Sequence, residues 1–181
     1  MGVAPLNRQM RRAAGSLLLL ALVALVVFAD LGSDSGSLGG NGGREGGERS
    51  LQAQVARVVD GDTIEVLIGG SEEDVRYIGI DTPETVKEGT PVQCFGPQSS
   101  AANRRLVEGR TVRLVLDRER RDVYDRLLAY VYVGDRFVNA ALVREGFART
   151  LTIPPNVAHA GLFHRLARVA GRAGRGLWRA C

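Results

Sequence analysis

The chain has 181 residues, of which 45% are hydrophobic and 24% are charged. This length supports one domain with a substantial core, and the ordinary composition excludes a chain that is disordered throughout. The net charge of +4 favours polyanions and anionic surfaces over acidic proteins as partners, but it does not choose among them.

The first 50 residues are predicted to form a targeting segment and a linker. Three arginines precede the apolar run 17–29, as in the charged and hydrophobic regions of a signal peptide. Residues 1–29 are therefore predicted to be a cleaved signal peptide or a retained signal anchor, in which 13–29 would tether the chain to a membrane. Residues 30–50 are rich in Gly and Ser, which is typical of a linker. Both alternatives imply export, so we expect a secreted or membrane-anchored, cell-surface protein.

The remaining residues, 51–181, are predicted to form a single domain. Alternating and β-rich runs predict five strands, and helix-favouring segments that end at glycine predict three helices. The predicted strands cover 55–59, 63–67, 75–80, 111–116 and 127–133, and the predicted helices cover 97–107, 138–145 and 163–171. This order predicts an α+β fold, a five-stranded OB-like β-barrel with about three packed helices.

The chain has two cysteines, Cys94 and Cys181. Export to an oxidising compartment makes an even pair a candidate disulfide, which would fix the C-terminal residue to the fold. Two unpaired thiols remain the alternative.

Charged residues collect in three segments. Arg76 lies on a strand among apolar residues and requires an acceptor, and the same strand leads into Asp81. The preceding hairpin carries Asp62, and hard carboxylate oxygens at this density are the ligands that Ca²⁺ selects. Arg126 lies where a loop joins a strand, which suits a guanidinium that binds phosphate oxygens. Each segment alone is also consistent with an ordinary turn or a solvated arginine.

Together these segments resemble the thermonuclease family of staphylococcal nuclease-like domains, over residues 55–178. The resemblance rests on the order, spacing and flanks of six motifs. They are VVDGDTIEV, VRYIGIDTPET, FGPQSSA, YDRLLAYVYV, VNAALVREGFA and GLW. It implies a catalytic domain over 51–181 that hydrolyses phosphodiester bonds of DNA, RNA or both with Ca²⁺ as cofactor, and a monomer is expected.

The resemblance also implies roles for individual residues. The predicted Ca²⁺ ligands are the carboxylates of Asp62 and Asp81 and the carbonyl of Thr82. The predicted catalytic residues are Arg76 and Arg126, which would neutralise phosphate charge, and Glu84, which would act as general base. Tyr124 matches a tyrosine that contacts the nucleotide. Cleavage is expected to leave 3′-phosphate ends.

Two departures from the family pattern bear on efficiency. Asp125 stands where glycine is usual, and its carboxylate could pair with Arg126 or draw it from substrate. A second aromatic residue, expected near 151–153, is absent, so stacking with a base is expected to be weaker.

The alternative is a non-catalytic OB-type module that binds nucleic acid or a protein. A module of this kind has no need of Glu84, so the full residue set favours the enzyme.

Overall fold

The computed structural model describes residues 49–85 and 89–181. The predicted targeting segment 1–29 and nearly all of the predicted linker 30–50 lie outside the described residues. Within the described part of the chain, no helix is long and apolar enough to cross a bilayer.

The described residues form eight strands and four helices. In chain order they are β1 (Ser50–Val58), β2 (Thr63–Ile68), β3 (Ser71–Tyr77), β4 (Ile80–Asp81), α1 (Gly96–Val107), β5 (Thr111–Val115), β6 (Leu127–Val133), β7 (Arg136–Phe137), α2 (Val138–Arg144), β8 (Arg149–Thr150), α3 (Ala160–Arg172) and α4 (Leu177–Ala180).

Five of the strands close into a mixed barrel, which confirms the predicted OB-like α+β fold. The first three form an antiparallel meander, and β1 also pairs with β5, which in turn pairs with β6. The barrel closes because β6 lies parallel to β3, with Val75 opposite Leu127. This pairing brings the start of β6 beside β3, although the two segments are about 50 residues apart in the chain.

The third predicted strand, 75–80, is wrong in one respect because the chain turns within it. β3 ends at Tyr77, and Gly79 then adopts a φ of 81°, in the left-handed region that favours glycine. A Cβ atom at Gly79 would lie 2.5 Å from Cε2 of Phe163, so only glycine fits here. The chain continues as β4, where Asp81 pairs with Arg149 of β8. This turn takes Asp81 out of the barrel wall.

The helices follow the prediction with one addition. α1, α2 and α3 cover the three predicted segments, and α1 carries Pro97 in its first turn, where a missing backbone N–H is tolerated. A fourth helix of four residues, α4, lies at the C-terminus. It was not predicted, since one turn is too short for a periodic pattern.

Two buried asparagines connect the helices to the barrel. Asn139 accepts a hydrogen bond from the backbone N–H of Val131 and donates one to the carbonyl of Ile78. Asn103 of α1 accepts from the Tyr77 hydroxyl and donates to the carbonyl of Asp60. Buried polar groups require such partners. Asn103 therefore fixes the turn between β1 and β2 against both a helix and a strand.

A disulfide links Cys94 with Cys181, whose Cα atoms are 6.0 Å apart. The bond connects the segment before α1 to the last residue of the chain. We expect the protein, purified without reductant and then denatured, to contain no titratable thiol. Titration with a thiol reagent measures this number directly, and the reduced protein should give two. Finding two thiols without reductant would contradict the disulfide.

Candidate active site

An open cleft of about 540 Å³ lies at one end of the barrel. Its walls come from the turn after β1, from β3, from the segment after β4 and from the loop before β6. The cleft is lined by all seven residues predicted to bind metal, phosphate or substrate, namely Asp62, Arg76, Asp81, Thr82, Glu84, Tyr124 and Arg126. Residues that are separated in the chain thus meet in one place.

Asp62 lies at the floor of this cleft and is 4% exposed. Its Oδ2 accepts hydrogen bonds from the backbone N–H and the hydroxyl of Thr82, at 2.6 and 2.9 Å. Burial raises the pKa of Asp62 to about 7, although the charge of Arg76 and the Thr82 hydrogen bonds act in the opposite direction. A Cβ atom at Gly61 would lie 2.6 Å from the Thr82 hydroxyl. Glycine at 61 therefore allows the close approach of the two segments.

Arg76 connects the two carboxylates of the predicted metal site. Its Nε lies 3.2 Å from Oδ1 of Asp62, and its Nη2 lies 3.0 Å from Oδ1 of Asp81. The Nη1 group donates hydrogen bonds to the carbonyls of Tyr77 and Ile80, both at 2.9 Å. The side chain of Arg76 is 14% exposed, whereas that of Asp81 is 54% exposed. One rigid guanidinium thus holds two strand ends and two acids.

The donors at this place fit a hard cation. One guanidinium contacts both Asp62 and Asp81, so oxygens of the two carboxylates lie close together. Thr82, which follows Asp81, is hydrogen-bonded to Asp62 and lines the same cleft. Oxygen ligands of this kind suit Ca²⁺. Across 49–85 and 89–181, no group of three or more His, Cys, Asp or Glu side chains is placed to hold a metal.

Glu84 lies in the loop between β4 and α1, partly buried in the same cleft. Its Oε1 accepts a hydrogen bond from the backbone N–H of Thr85 at 2.8 Å. Its backbone N–H donates to Oε1 of Gln93, and the backbone N–H of Gln93 donates to the carbonyl of Glu84. Gln93 thus closes the loop that carries Glu84. Gln93 could not be predicted from the sequence, because no local pattern connects residues nine positions apart across a loop.

Arg126 is paired with Asp122, a residue that the sequence analysis left without a role. Oδ2 of Asp122 lies 2.8 Å from Nε and 2.7 Å from Nη2 of Arg126, and Oδ1 accepts the backbone N–H of Arg126. Burial acts to raise the pKa of Asp122, but hydrogen bonds from Arg126 and Tyr124 outweigh it and hold this pKa below its usual value. The side chain of Arg126 is 30% exposed, and its guanidinium lies 5.4 Å from the centre of the Tyr124 ring. Residues 122–126 form a turn and not a helix, so the i, i+4 rule for helical side chains gives no signal for this pair.

Asp125 does not contact Arg126 through its carboxylate, contrary to one expectation from the sequence. Its Oδ1 lies 3.6 Å from Nε of Arg121, which also pairs with Glu73. Asp125 has a φ of 65°, in the left-handed region. This conformation explains why glycine suits the position, and why the side chain points away from the cleft.

Replacing Asp125 with glycine is expected to raise the free energy of unfolding by about 1 kcal/mol, because the backbone strain disappears. The lost contact with Arg121 is exposed and worth little. Asp125→Ala should have the opposite sign, since alanine keeps the strain without the local hydrogen bonding of aspartate. Urea unfolding of both variants measures the difference. Equal stability of the two variants would contradict strain at this position.

A second cavity, of about 320 Å³, opens beside the cleft. It shares Arg76, Tyr124 and Arg126 with the cleft, and Leu151 and Ile153 line it as well. Tyr124 is 77% exposed, and the two aliphatic residues occupy the region where a second aromatic residue was expected. The cavity offers one aromatic face and an aliphatic lining to a flat apolar group.

Comparison with known proteins gives consistent results. Residues 74–180 match the family described as "Staphylococcal nuclease homologue". The chain is 37% identical to the thermonuclease of Staphylococcus intermedius over 169 residues, which cover 93% of this chain and 99% of that protein. It is 33% identical to the thermonuclease of Staphylococcus hyicus with the same coverage. It is 43% identical to "Endonuclease YncB" of Bacillus subtilis (strain 168) over 118 residues, 64% of this chain and 56% of that protein.

Proposed function

The chain belongs to the family of staphylococcal nuclease homologues, and we propose that it is an exported, Ca²⁺-dependent nuclease whose catalytic residues are Arg76, Glu84 and Arg126. That it is a hydrolytic nuclease acting on nucleic acid follows from its thermonuclease and endonuclease relatives. The observation that carries the finer proposal is that one cleft is lined by all the residues given a role in it, namely Asp62, Arg76, Asp81, Thr82, Glu84 and Arg126.

Asp62, Asp81 and the Thr82 carbonyl would hold Ca²⁺. The bound cation supplies positive charge that stabilises the negative charge developing on the phosphate oxygens. The buried Asp62 is held in one orientation by Thr82 and Arg76, whereas the half-exposed Asp81 can adjust to an ion. A rigid ligand beside an adaptable one suits the variable coordination of Ca²⁺.

Arg76 and Arg126 would bind the phosphate. A phosphodiester resists attack because it is negatively charged, so the site must neutralise that charge. The guanidinium of Arg76 is held by Asp62, Asp81 and two backbone carbonyls, and that of Arg126 is held by Asp122. These pairs fix the positions of the two cations before substrate arrives, so little rearrangement is needed on binding.

Glu84 would act as general base toward the attacking water. Its carboxylate is oriented by the N–H of Thr85, and its backbone is held by Gln93. Gln93 is therefore proposed as a positioning residue. Attack by this water and departure of the 5′-oxygen would leave 3′-phosphate ends, and neither DNA nor RNA is excluded as substrate. The protein is proposed to act as a monomer.

The second cavity would receive a nucleotide base against Tyr124. Leu151 and Ile153 are aliphatic, and Tyr77, the other aromatic lining residue, is only 1% exposed, so the base would stack on Tyr124 alone. Stacking contributes about 1 to 3 kcal/mol per base and aromatic ring. We propose that substrate binding relies mainly on phosphate contacts.

Export is proposed from the basic and apolar pattern of residues 1–29, with secretion or cell-surface attachment as outcomes. The nuclease is favoured over the non-catalytic alternative, since two thermonucleases and an endonuclease are among its relatives and the cleft contains Glu84.

Digestion of single-stranded DNA and of RNA with Ca²⁺ and with a chelator tests the proposal. Cutting is expected with Ca²⁺ and should fall by at least about 100-fold in chelator, because the phosphate charge is then only partly neutralised. Labelling of the product ends should find 3′-phosphate. Cutting that persists in excess chelator would contradict the metal dependence.

A further inference from the structure

A third cavity, of about 190 Å³, lies on the other side of the predicted metal ligands. Asp81 and Thr82 belong both to this cavity and to the catalytic cleft. Gln93 and Arg149 also line it, together with the disulfide. The second cavity, called the base cavity because it would receive a nucleotide base, adjoins the cleft at Tyr124 and Arg126. The catalytic cleft therefore shares residues with the base cavity and with the third cavity.

Arg149 is the cation of this third cavity. Asp81 and Arg149 are direct partners in the β4–β8 ladder, so their side chains project from the same face. The guanidinium lies 4.9 Å from the centre of the Trp178 ring, and Arg149 is exposed. Across the part of the chain that the structure describes, no carboxylate lies within ion-pair distance of it. Arg149 thus presents a solvent-accessible cation that a flat aromatic ring holds in place.

A nucleic-acid strand that is cut internally continues past the scissile phosphate in both directions. Arg76 and Arg126 bind at the centre in the proposed mechanism, and the base cavity accommodates one direction. We expect the other direction to pass Asp81, which is paired with Arg76 and has no hydrogen-bond donor to offer a phosphate. The next cation along that path, across the ladder from Asp81, is Arg149.

Resting on the proposed function, we propose that Arg149 binds a backbone phosphate of the nucleic-acid strand on the Asp81 side of the scissile bond. The third cavity is then a subsite for a polynucleotide strand, used by substrates that extend beyond the bond being cut. A base next to this phosphate can pack on the exposed part of Trp178, which is 37% exposed.

Arg149→Gln tests the subsite, with Arg105→Gln as the matched control. Arg105 is an exposed arginine of α1 that lines a cavity sharing no residue with the cleft. The substrates are a single-stranded oligonucleotide of about 12 nucleotides and a minimal nucleotide phosphodiester with a chromogenic leaving group. Arg149→Gln should raise KM for the oligonucleotide by about 3- to 10-fold. This factor should be at least about three times the factor by which KM rises for the minimal substrate. Arg105→Gln should change neither KM. An equal effect on both substrates, or no effect, overturns the proposal.

A binding measurement keeps this test separate from catalysis. Trp178 is the only tryptophan of the chain and its ring packs against the guanidinium of Arg149, so its fluorescence reports on a ligand that binds Arg149. In the Glu84→Gln background, the oligonucleotide should change Trp178 emission, whereas a dinucleotide that fills only the base cavity should not. Arg149→Gln should also reduce the slope of log affinity against log salt by about 0.7, as expected for one lost phosphate contact on a single strand.

If the wild-type protein fails to cut DNA or RNA with Ca²⁺, the proposed mechanism is wrong, and the fluorescence and salt measurements still decide the subsite. If cutting is normal but the salt slopes of Arg149→Gln and Arg105→Gln agree, the subsite is wrong and the mechanism stands.

Discussion

Glu84→Gln is expected to lower kcat on single-stranded DNA by about 10²- to 10⁴-fold, because glutamine cannot accept the proton of the attacking water. The change keeps the size and shape of the side chain. The amide oxygen can still accept the N–H of Thr85, and Gln93 bonds to the backbone of residue 84, not to its side chain. The loop should therefore keep its conformation, and the free energy of unfolding should change by less than about 1 kcal/mol.

Rates under single-turnover conditions with saturating Ca²⁺ measure this effect. Glu108→Gln is the control, since Glu108 lies at the end of α1, is half exposed and pairs with Arg104. It should cut DNA at the wild-type rate. A Glu84→Gln variant that cuts as fast as the wild type would exclude Glu84 as the general base. If the variant still binds the oligonucleotide, the substitution slows the chemical step and not substrate binding.

Arg76→Lys is expected to lower kcat/KM by about 10²- to 10³-fold and also to lower the free energy of unfolding by about 3 kcal/mol. The two effects have one cause. The guanidinium contacts Asp62, Asp81 and two backbone carbonyls at once, and a lysine ammonium cannot reach all of them. Asp62 would then lose its closest cation, which is costly because this residue is 4% exposed and its carboxylate is little hydrated.

Arg126→Lys provides the comparison. Its activity should fall by a similar factor, but its stability should fall by less than about 1 kcal/mol, because its pair with Asp122 is partly exposed. Urea unfolding together with kcat/KM measurements separates the two arginines. Equal loss of stability in both variants would contradict the bridging role of Arg76, and wild-type activity in either variant would exclude that arginine from the reaction.

Much of the fold was predictable because its signals are local. Hairpin residues such as Gly61 and Gly70 and the alternating runs around them mark the meander, and glycines at 109 and 146 mark the ends of helices. The break at Gly79 was missed, because 75–80 reads as one β-rich run. Its cause is the ring of Phe163, which lies more than 80 residues later in the chain.

The partners of the site residues were less predictable. Asp125, next to Arg126 in sequence, was expected to affect it, but the left-handed φ of Asp125 turns its carboxylate toward Arg121. Asp122, four residues earlier, pairs with Arg126 instead. Adjacency in sequence does not determine the direction of a side chain, which depends on the backbone dihedrals of the loop.

The sequence by itself determined the kinds of groups at the site and their order, since the motifs around Asp62, Arg76, Glu84 and Arg126 are contiguous stretches of chain. Only the tertiary structure decided how these groups meet. The parallel pairing of β3 with β6 places Arg126 near Arg76, and the β4–β8 ladder places Arg149 beside Asp81. Such pairings are fixed by the closure of the barrel and the packing of its core, which involve residues far apart in the chain.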